Sequence, residues 1–282
     1  MSGPGTDDDR DPFRRTPGVP ESARIPGWQP PALSKPRDSV FVLARMGRLP
    51  SWYLLPKAER AAIEREHVDL MLDVGDRHGL RRLEAFRLIT QQGPWVRFWV
   101  IEFPTLEGAE AWIEAEMAPR YGLYGSYEYH LARAHAPDHF TDWVTNPAPP
   151  ITPWPHDPRT SPVPPLDVDR NSIVVLLFGR GNPGYEAIPE SERDDEGHIW
   201  LMKDVARRHG LMRIEAYALM DPAPDYHRAW VIEWPDLAGA EAWIENEVLP
   251  PHGIYARKAF HLARRWAPEY AAAWVRPENR RT

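Results

Sequence analysis

Four residues able to handle protons and charge occur as two matching sets: Arg82, Glu84, Glu102 and His130, then Arg213, Glu215, Glu233 and His261. An imidazole titrates near neutral pH and can give or take a proton. A carboxylate beside it can orient it or move a second proton. A guanidinium can hold a carboxylate, carbonyl or enolate oxygen. Such a set could isomerise or cyclise a small metabolite, or oxygenate an activated enol. The expected catalytic groups are His261, Glu215, His130 and Glu84. The expected substrate-binding groups are Arg213, Tyr217, Glu233, Arg82 and Glu102. Ordinary packing offers a competing account. A hairpin centred on residue 92 places Arg82 opposite Glu102, and one centred on residue 223 places Arg213 opposite Glu233. Cross-strand ion pairs would then satisfy both without any function. His130 and His261 have no obvious local partner.

The two sets arise because the chain repeats itself. The stretch from Asp38 to Val144 returns from Asn171 to Val275, and the pair His78 and His209 sets the offset at 131. A repeat of this length is a duplicated small domain and not a solenoid unit. Within each copy, β-branched apolar runs (SVFVLARM, SIVVLLFG) read as first strands. Ile63, His67, Leu70, Met71 and Val74 form one helical stripe. Gly79 and Gly210 stop the helices, each preceded by a histidine suited to a helix C-terminus. LRRLEAFRL and LMRIEAYAL are second strands, VRFWVIEF and RAWVIEW third strands, and YEYHLAR and KAFHLAR fourth strands. A helix carrying Trp112 or Trp243 precedes the fourth strand. The order is βαββαβ.

Four antiparallel strands with two helices on one face make a ferredoxin-like α+β layer whose second face is bare. Two copies cover each other's bare faces, so the chain is expected to close into an intramolecular pseudo-dimeric barrel with its helices outside. Strand alternation points Arg82, Glu84 and Phe86 into the lumen, with Arg213, Glu215 and Tyr217 as their repeats. His130 follows from the fourth strand, and Glu102 and Val100 share a face of the third. His67 and His198 lie on apolar helix faces and read as core histidines. The expected organisation is a disordered Pro-rich tail (1–37), repeat 1 (38–144), a Pro-rich linker (145–170), repeat 2 (171–275) and a short tail (276–282).

Composition narrows the classes. With 13 Trp, 8 Phe and 10 Tyr, two small domains can still build cores. A net charge of −7, well mixed, gives no footprint for nucleic acid or an anionic membrane. The absence of cysteine excludes disulfides and thiolate chemistry. No signal peptide or membrane-length apolar run is visible, so a cytoplasmic location is expected. Metalloprotease, phosphate-loop and nucleophile-elbow motifs are absent, and no close His/Glu spacing marks a metal site.

The strand–Pro–helix signature (VIEFPTLEGAEAW, VIEWPDLAGAEAW) resembles that of the dimeric α/β-barrel superfamily. The opening SVFVLARMGRLPSWYLLPKAERAAI is also similar to that of darcynin-like proteins. The resemblance spans both repeats. It implies cofactor-free monooxygenases, isomerases or cyclases, haem proteins built on two such repeats, or members without known activity. Fold does not settle function.

The leading expectation is an enzyme without cofactor, acting on a small apolar or aromatic metabolite held between the sheets. The first alternative is a haem or metal protein, with His198 or His261 as an axial ligand. A haem site would belong to one repeat, and the two copies do not diverge at these histidines. The second alternative is a non-catalytic ligand-binding or assembly module with every lumen charge paired and no pocket left. Phe98 becomes Ala229 and Glu128 becomes Ala259, so a site weighted to residues 171–275 is expected on volume. The partner is a small molecule, and the fused chains could pair again.

Overall fold

The computed structural model describes residues 15–189, 193–223 and 225–280; residues 1–14 of the Pro-rich tail lie outside it. The first repeat runs β1 (Val40–Arg48), α1 (Pro50–Leu54), α2 (Lys57–His78), β2 (Arg82–Gln92), β3 (Trp95–Phe103), α3 (Leu106–Met117) and β4 (Gly125–His135). The second runs β5 (Ile173–Gly181), α4 (Pro183–Glu186), α5 (Asp195–His209), β6 (Arg213–Ala223), β7 (Tyr226–Trp234), α6 (Leu237–Glu247) and β8 (Ala256–Arg265), followed by α7 (Pro268–Ala272). The expected βαββαβ order is present twice.

The eight strands close into one antiparallel barrel, β1-β3-β2-β8-β5-β7-β6-β4. Closure is made by the edges: β2 pairs with β8 and β4 with β6. Sealing both edges removes the unpaired N–H and C=O groups that an open sheet exposes. The hairpins place Arg82 opposite Glu102 and Arg213 opposite Glu233, as the spacing requires.

Alternation along the strands divides the core into three. Phe41, Leu43, Phe86, Phe98, Leu176 and Phe178 fill the lumen. Val42, Met71, Val74 and Trp112 pack between the sheet and helices of repeat 1. Val175, Met202, Val205 and Trp243 do the same in repeat 2. Helix α2 buries Ile63, His67, Met71 and Val74, but Leu70, expected in this stripe, is 37% exposed at its edge. Gly79 and Gly210 terminate α2 and α5 at φ of 67° and 65°, a conformation that only glycine adopts without penalty. Thr105 and Asp236 accept from Gly108 N and Gly239 N and start α3 and α6. Among the described residues no helix is long and apolar enough to cross a membrane.

The segments after β4 and β8 exchange sides. His135, His139 and Trp143 lie over the helix side of repeat 2, while Trp266, Tyr270 and Trp274 lie over that of repeat 1. The segments preceding each repeat follow the same rule. Val163 and Leu166 cover repeat 1, and Pro30, Pro31 and Leu33 cover repeat 2. Arg24 secures the latter segment on Asp194, with an Nη2–Oδ2 distance of 3.3 Å.

Candidate functional site

At one end of the barrel a cavity of about 550 Å³ is lined by Arg82 and Glu84 of β2 and by Glu215 and Tyr217 of β6. Arg82 donates to Glu84 at 3.0 Å and, across the pseudo-two-fold, to Glu215 at 2.7 Å. Arg213 lies 2.8 Å from Glu84 and donates to Glu215 at 2.9 Å. Two guanidinium groups and two carboxylates thus form a closed ring. Tyr217 donates its phenol to Glu215 at 2.6 Å. Burial opposes the charge on Arg82, but Glu215 and Glu84 outweigh it and raise its pKa well above the usual value. Burial and the like charge of Glu215 raise the pKa of Glu84 against the pull of Arg82. Burial raises that of Tyr217.

The expected cross-strand ion pairs are therefore corrected in part. The register is as expected, yet Arg82 and Arg213 bond to Glu84 and Glu215. Glu102 accepts from Ser39 at 2.5 Å and adds a weaker through-space attraction to Arg82. Glu233 accepts from Ser172 at 2.6 Å and from Arg265 at 2.8 and 2.5 Å. The serines that open β1 and β5 take the facing carboxylates, which frees the arginines to reach across the axis.

The histidines stand apart from this ring and do not line its cavity. His130 meets Glu128 at 2.9 Å, and Arg45 pairs with the same carboxylate. In repeat 2 the positions of Arg45 and Glu128 are Phe178 and Ala259, so His261 is buried with neither ring nitrogen hydrogen-bonded among the described residues. Burial, then Arg45, lowers its pKa.

A second site lies between sheet and helices, in two unequal copies. In repeat 1, His67 stacks on Tyr121 with ring centroids 3.6 Å apart and meets Glu116 at 3.3 Å. Trp266 and Tyr270 close the space, leaving about 150 Å³. In repeat 2, His198 stacks on His252 at 4.0 Å and lies 3.6 Å from Glu247. His135 and His139 replace Trp266 and Tyr270, His252 replaces Tyr121 and Gly179 replaces Met46. The cavity there is about 470 Å³. These substitutions correct the expectation that the copies do not diverge. The histidines on the helices match, but the residues around them do not.

Burial, the neighbouring His252 and Lys258 lower the pKa of His198 to about 3 despite Glu247, so its imidazole is neutral at ordinary pH. Burial opposes the charge of Glu247, and Lys258 and His198 hold its pKa low. His67 and His198 face, among the described residues, the carboxylates of Glu116 and Glu247. Among the described residues, no group of three or more His, Asp or Glu could hold a bare metal ion. One neutral imidazole is nevertheless all that an iron porphyrin asks of the protein.

This barrel is similar to solved chlorite dismutases. That of Candidatus Nitrospira defluvii, as a variant, superposes with a TM-score of 0.60 at 12% identity over 85% of this chain and 96% of that one. A variant in complex with cyanide gives 0.60 at 12% identity over 84% and 94%, and the enzyme in complex with imidazole 0.58 at 12% over 85% and 96%. The fold is a fused dimeric α/β barrel of the chlorite dismutase type. At this identity the likeness establishes the fold alone. No family model and no curated protein matches the sequence, so the darcynin-like resemblance of the first repeat gains no support.

Proposed function

We propose that the chain is a haem-binding barrel protein whose site is the cavity of repeat 2, where His198 would hold the iron. The observation that carries this reading is the asymmetry of the two equivalent cavities. The same helix histidine is sealed under Tyr121, Trp266 and Tyr270 in repeat 1, and opens onto about 470 Å³ in repeat 2. That volume falls within the ordinary range for small-molecule sites.

The residues fit the group. The lone pair of an imidazole lies in the ring plane, so stacking of His252 on the face of His198 leaves it accessible. Glu247, beside Nε2, would fix the ring and raise its basicity, the usual role of a carboxylate behind a ligating histidine. Trp143, Trp230 and Trp243 supply apolar walls, and Arg180, Arg193 and Lys258 make the lining basic, which suits a flat molecule with acidic side arms. Haem there would supply an iron able to bind a small ligand. Cyanide and imidazole, found in complex with similar structures, are both ligands of transition-metal ions.

The test is the visible spectrum and iron content of the full chain after incubation with haemin. A Soret band near one haem per chain, lost in His198→Ala and kept in His67→Ala, is expected. A wild-type protein with no Soret band, or a His198→Ala variant that keeps it, overturns the reading.

The cavity at the ring favours a second reading, cofactor-free acid–base chemistry on an apolar or aromatic metabolite. Burial favours a proton on Glu84, and Tyr217 and Glu215 form a further donor–acceptor pair. Arg82 and Arg213 would hold substrate oxygens, while His130 and His261 would act only from the lumen behind the ring. Glu84→Gln and Glu215→Gln should each abolish turnover of any metabolite found by screening; unchanged turnover removes the ring from the mechanism.

A further inference from the structure

Arg228 and His135 flank β6 on the helix-facing side of the barrel wall. His135 pairs opposite Ala216 from β4, and Arg228 opposite Ala218 from β7. Both line the repeat 2 cavity. The corresponding residues of repeat 1 are Trp266 and Arg97, whose guanidinium lies 4.1 Å from the indole centroid. Replacing that tryptophan by His135 strips the aromatic cover from the arginine.

The resulting corner is short of negative charge. Burial alone lowers the pKa of Arg228, and among the described residues it has no hydrogen-bond or ion-pair partner. His135 is 4% exposed, and among the described residues its buried Nδ1 has no hydrogen-bond partner. Burial lowers its pKa to about 4, and Arg228, followed by Lys35, His139 and His227, lowers it further. A half-buried guanidinium without a counter-charge and a buried imidazole nitrogen without a partner both carry a cost that a bound anion would relieve.

We infer that Arg228 and His135, one from each repeat, form a carboxylate-binding corner in the repeat 2 cavity. The guanidinium offers paired N–H donors in the geometry of a carboxylate, and the imidazole adds a donor from the opposite side. The inference rests on the proposed use of this cavity for a ligand, and not on that ligand being haem. The carboxylate has two sources: a side arm of the porphyrin, or a separate aromatic acid lying against Trp230.

Two titrations of the full chain separate these cases: benzoate, followed by tryptophan fluorescence and calorimetry, and haemin against its dimethyl ester, followed by absorbance. Arg228→Gln and His135→Phe are compared with wild type, and Arg97→Gln serves as the equivalent substitution in the closed repeat. For a separate acid, each corner variant should bind benzoate about tenfold more weakly, the worth of one charge-assisted hydrogen bond. For a porphyrin side arm, wild type should prefer haemin over the ester by a similar factor, and Arg228→Gln should erase that preference. Either result supports the corner, with Arg97→Gln unchanged. Benzoate binding without porphyrin binding refutes the haem reading and keeps the corner. Porphyrin binding indifferent to esterification, with no effect of benzoate, refutes the corner and keeps the haem reading. Corner variants that bind both probes like wild type also overturn it.

Discussion

Replacing His135 by Trp and His139 by Tyr together would copy into repeat 2 the plug that closes repeat 1. The cavity should shrink from about 470 Å³ toward the 150 Å³ of its counterpart. Arg228 should then lie over the new indole as Arg97 lies over Trp266. Fully burying one large apolar side chain is worth about 1.5–3 kcal/mol. Removing the unpartnered Nδ1 of His135 adds to this, whereas its existing burial subtracts, so a gain of about 2 kcal/mol is expected. For a chain of this size that raises the melting temperature by roughly 4–8 °C. Calorimetry and haemin titration on one preparation test both halves of the argument, since stability should rise while porphyrin binding is lost. A fall in melting temperature would show that repeat 2 lacks room for the plug. A rise with undiminished binding would place the ligand elsewhere.

Two further outcomes follow from buried charge. His198, with its pKa lowered to about 3, stays neutral in the folded chain while the unfolded chain takes up a proton below roughly pH 6.5. The unfolded state therefore binds more protons between those values, and stability should fall as pH drops through that window, by at most about 1.4 kcal/mol per pH unit from this histidine. Urea denaturation of apoprotein at pH 7, 6 and 5 should show a shallower decline in His198→Phe; an identical slope contradicts the assignment. Arg265→Ala, which installs the residue type found at Ala134, would strand Glu233 at 1% exposure and cost about 3–5 kcal/mol. Arg265→Leu combined with Glu233→Leu should recover most of that loss in the same assay, and a single variant as stable as wild type would contradict the buried pair.

The sequence made the barrel legible because its signals are local and doubled. Two hairpin centres placed Arg82 opposite Glu102 and Arg213 opposite Glu233, and period-two alternation assigned Phe86 to the lumen and put Glu102 and Val100 on one face. What escaped is non-local. Arg82 finds Glu215 across a symmetry axis, so no spacing within one repeat reveals the bond. Glu128 and Ala259 follow the offset of 131, but β1 and β5 correspond at 133, as Ser39 and Ser172 show. That shift concealed the replacement of Arg45 by Phe178 and of Met46 by Gly179. The open cavity was missed because its deciding residues, His135 and His139, belong to repeat 1 in sequence and to repeat 2 in space. HLARAHAP and HLARRWAP differ at His135, but nothing in either segment says which cavity that difference enlarges.

The crossing of the segments after β4 and β8 means that each cavity is encoded by both halves of the chain. In an unfused pair of identical subunits, the residue closing one cavity would also close the other, and both sites would be open or shut together. Fusion breaks that bond. A bulky residue at 266 affects only the cavity of the first half, and a small one at 135 only that of the second. One ancestral site could therefore be given over to stability while its twin remained available to ligands, without either copy losing its fold. It also makes the undivided chain the smallest unit able to enclose the larger cavity, because repeat 2 alone lacks His135, His139 and Trp143 from its lining.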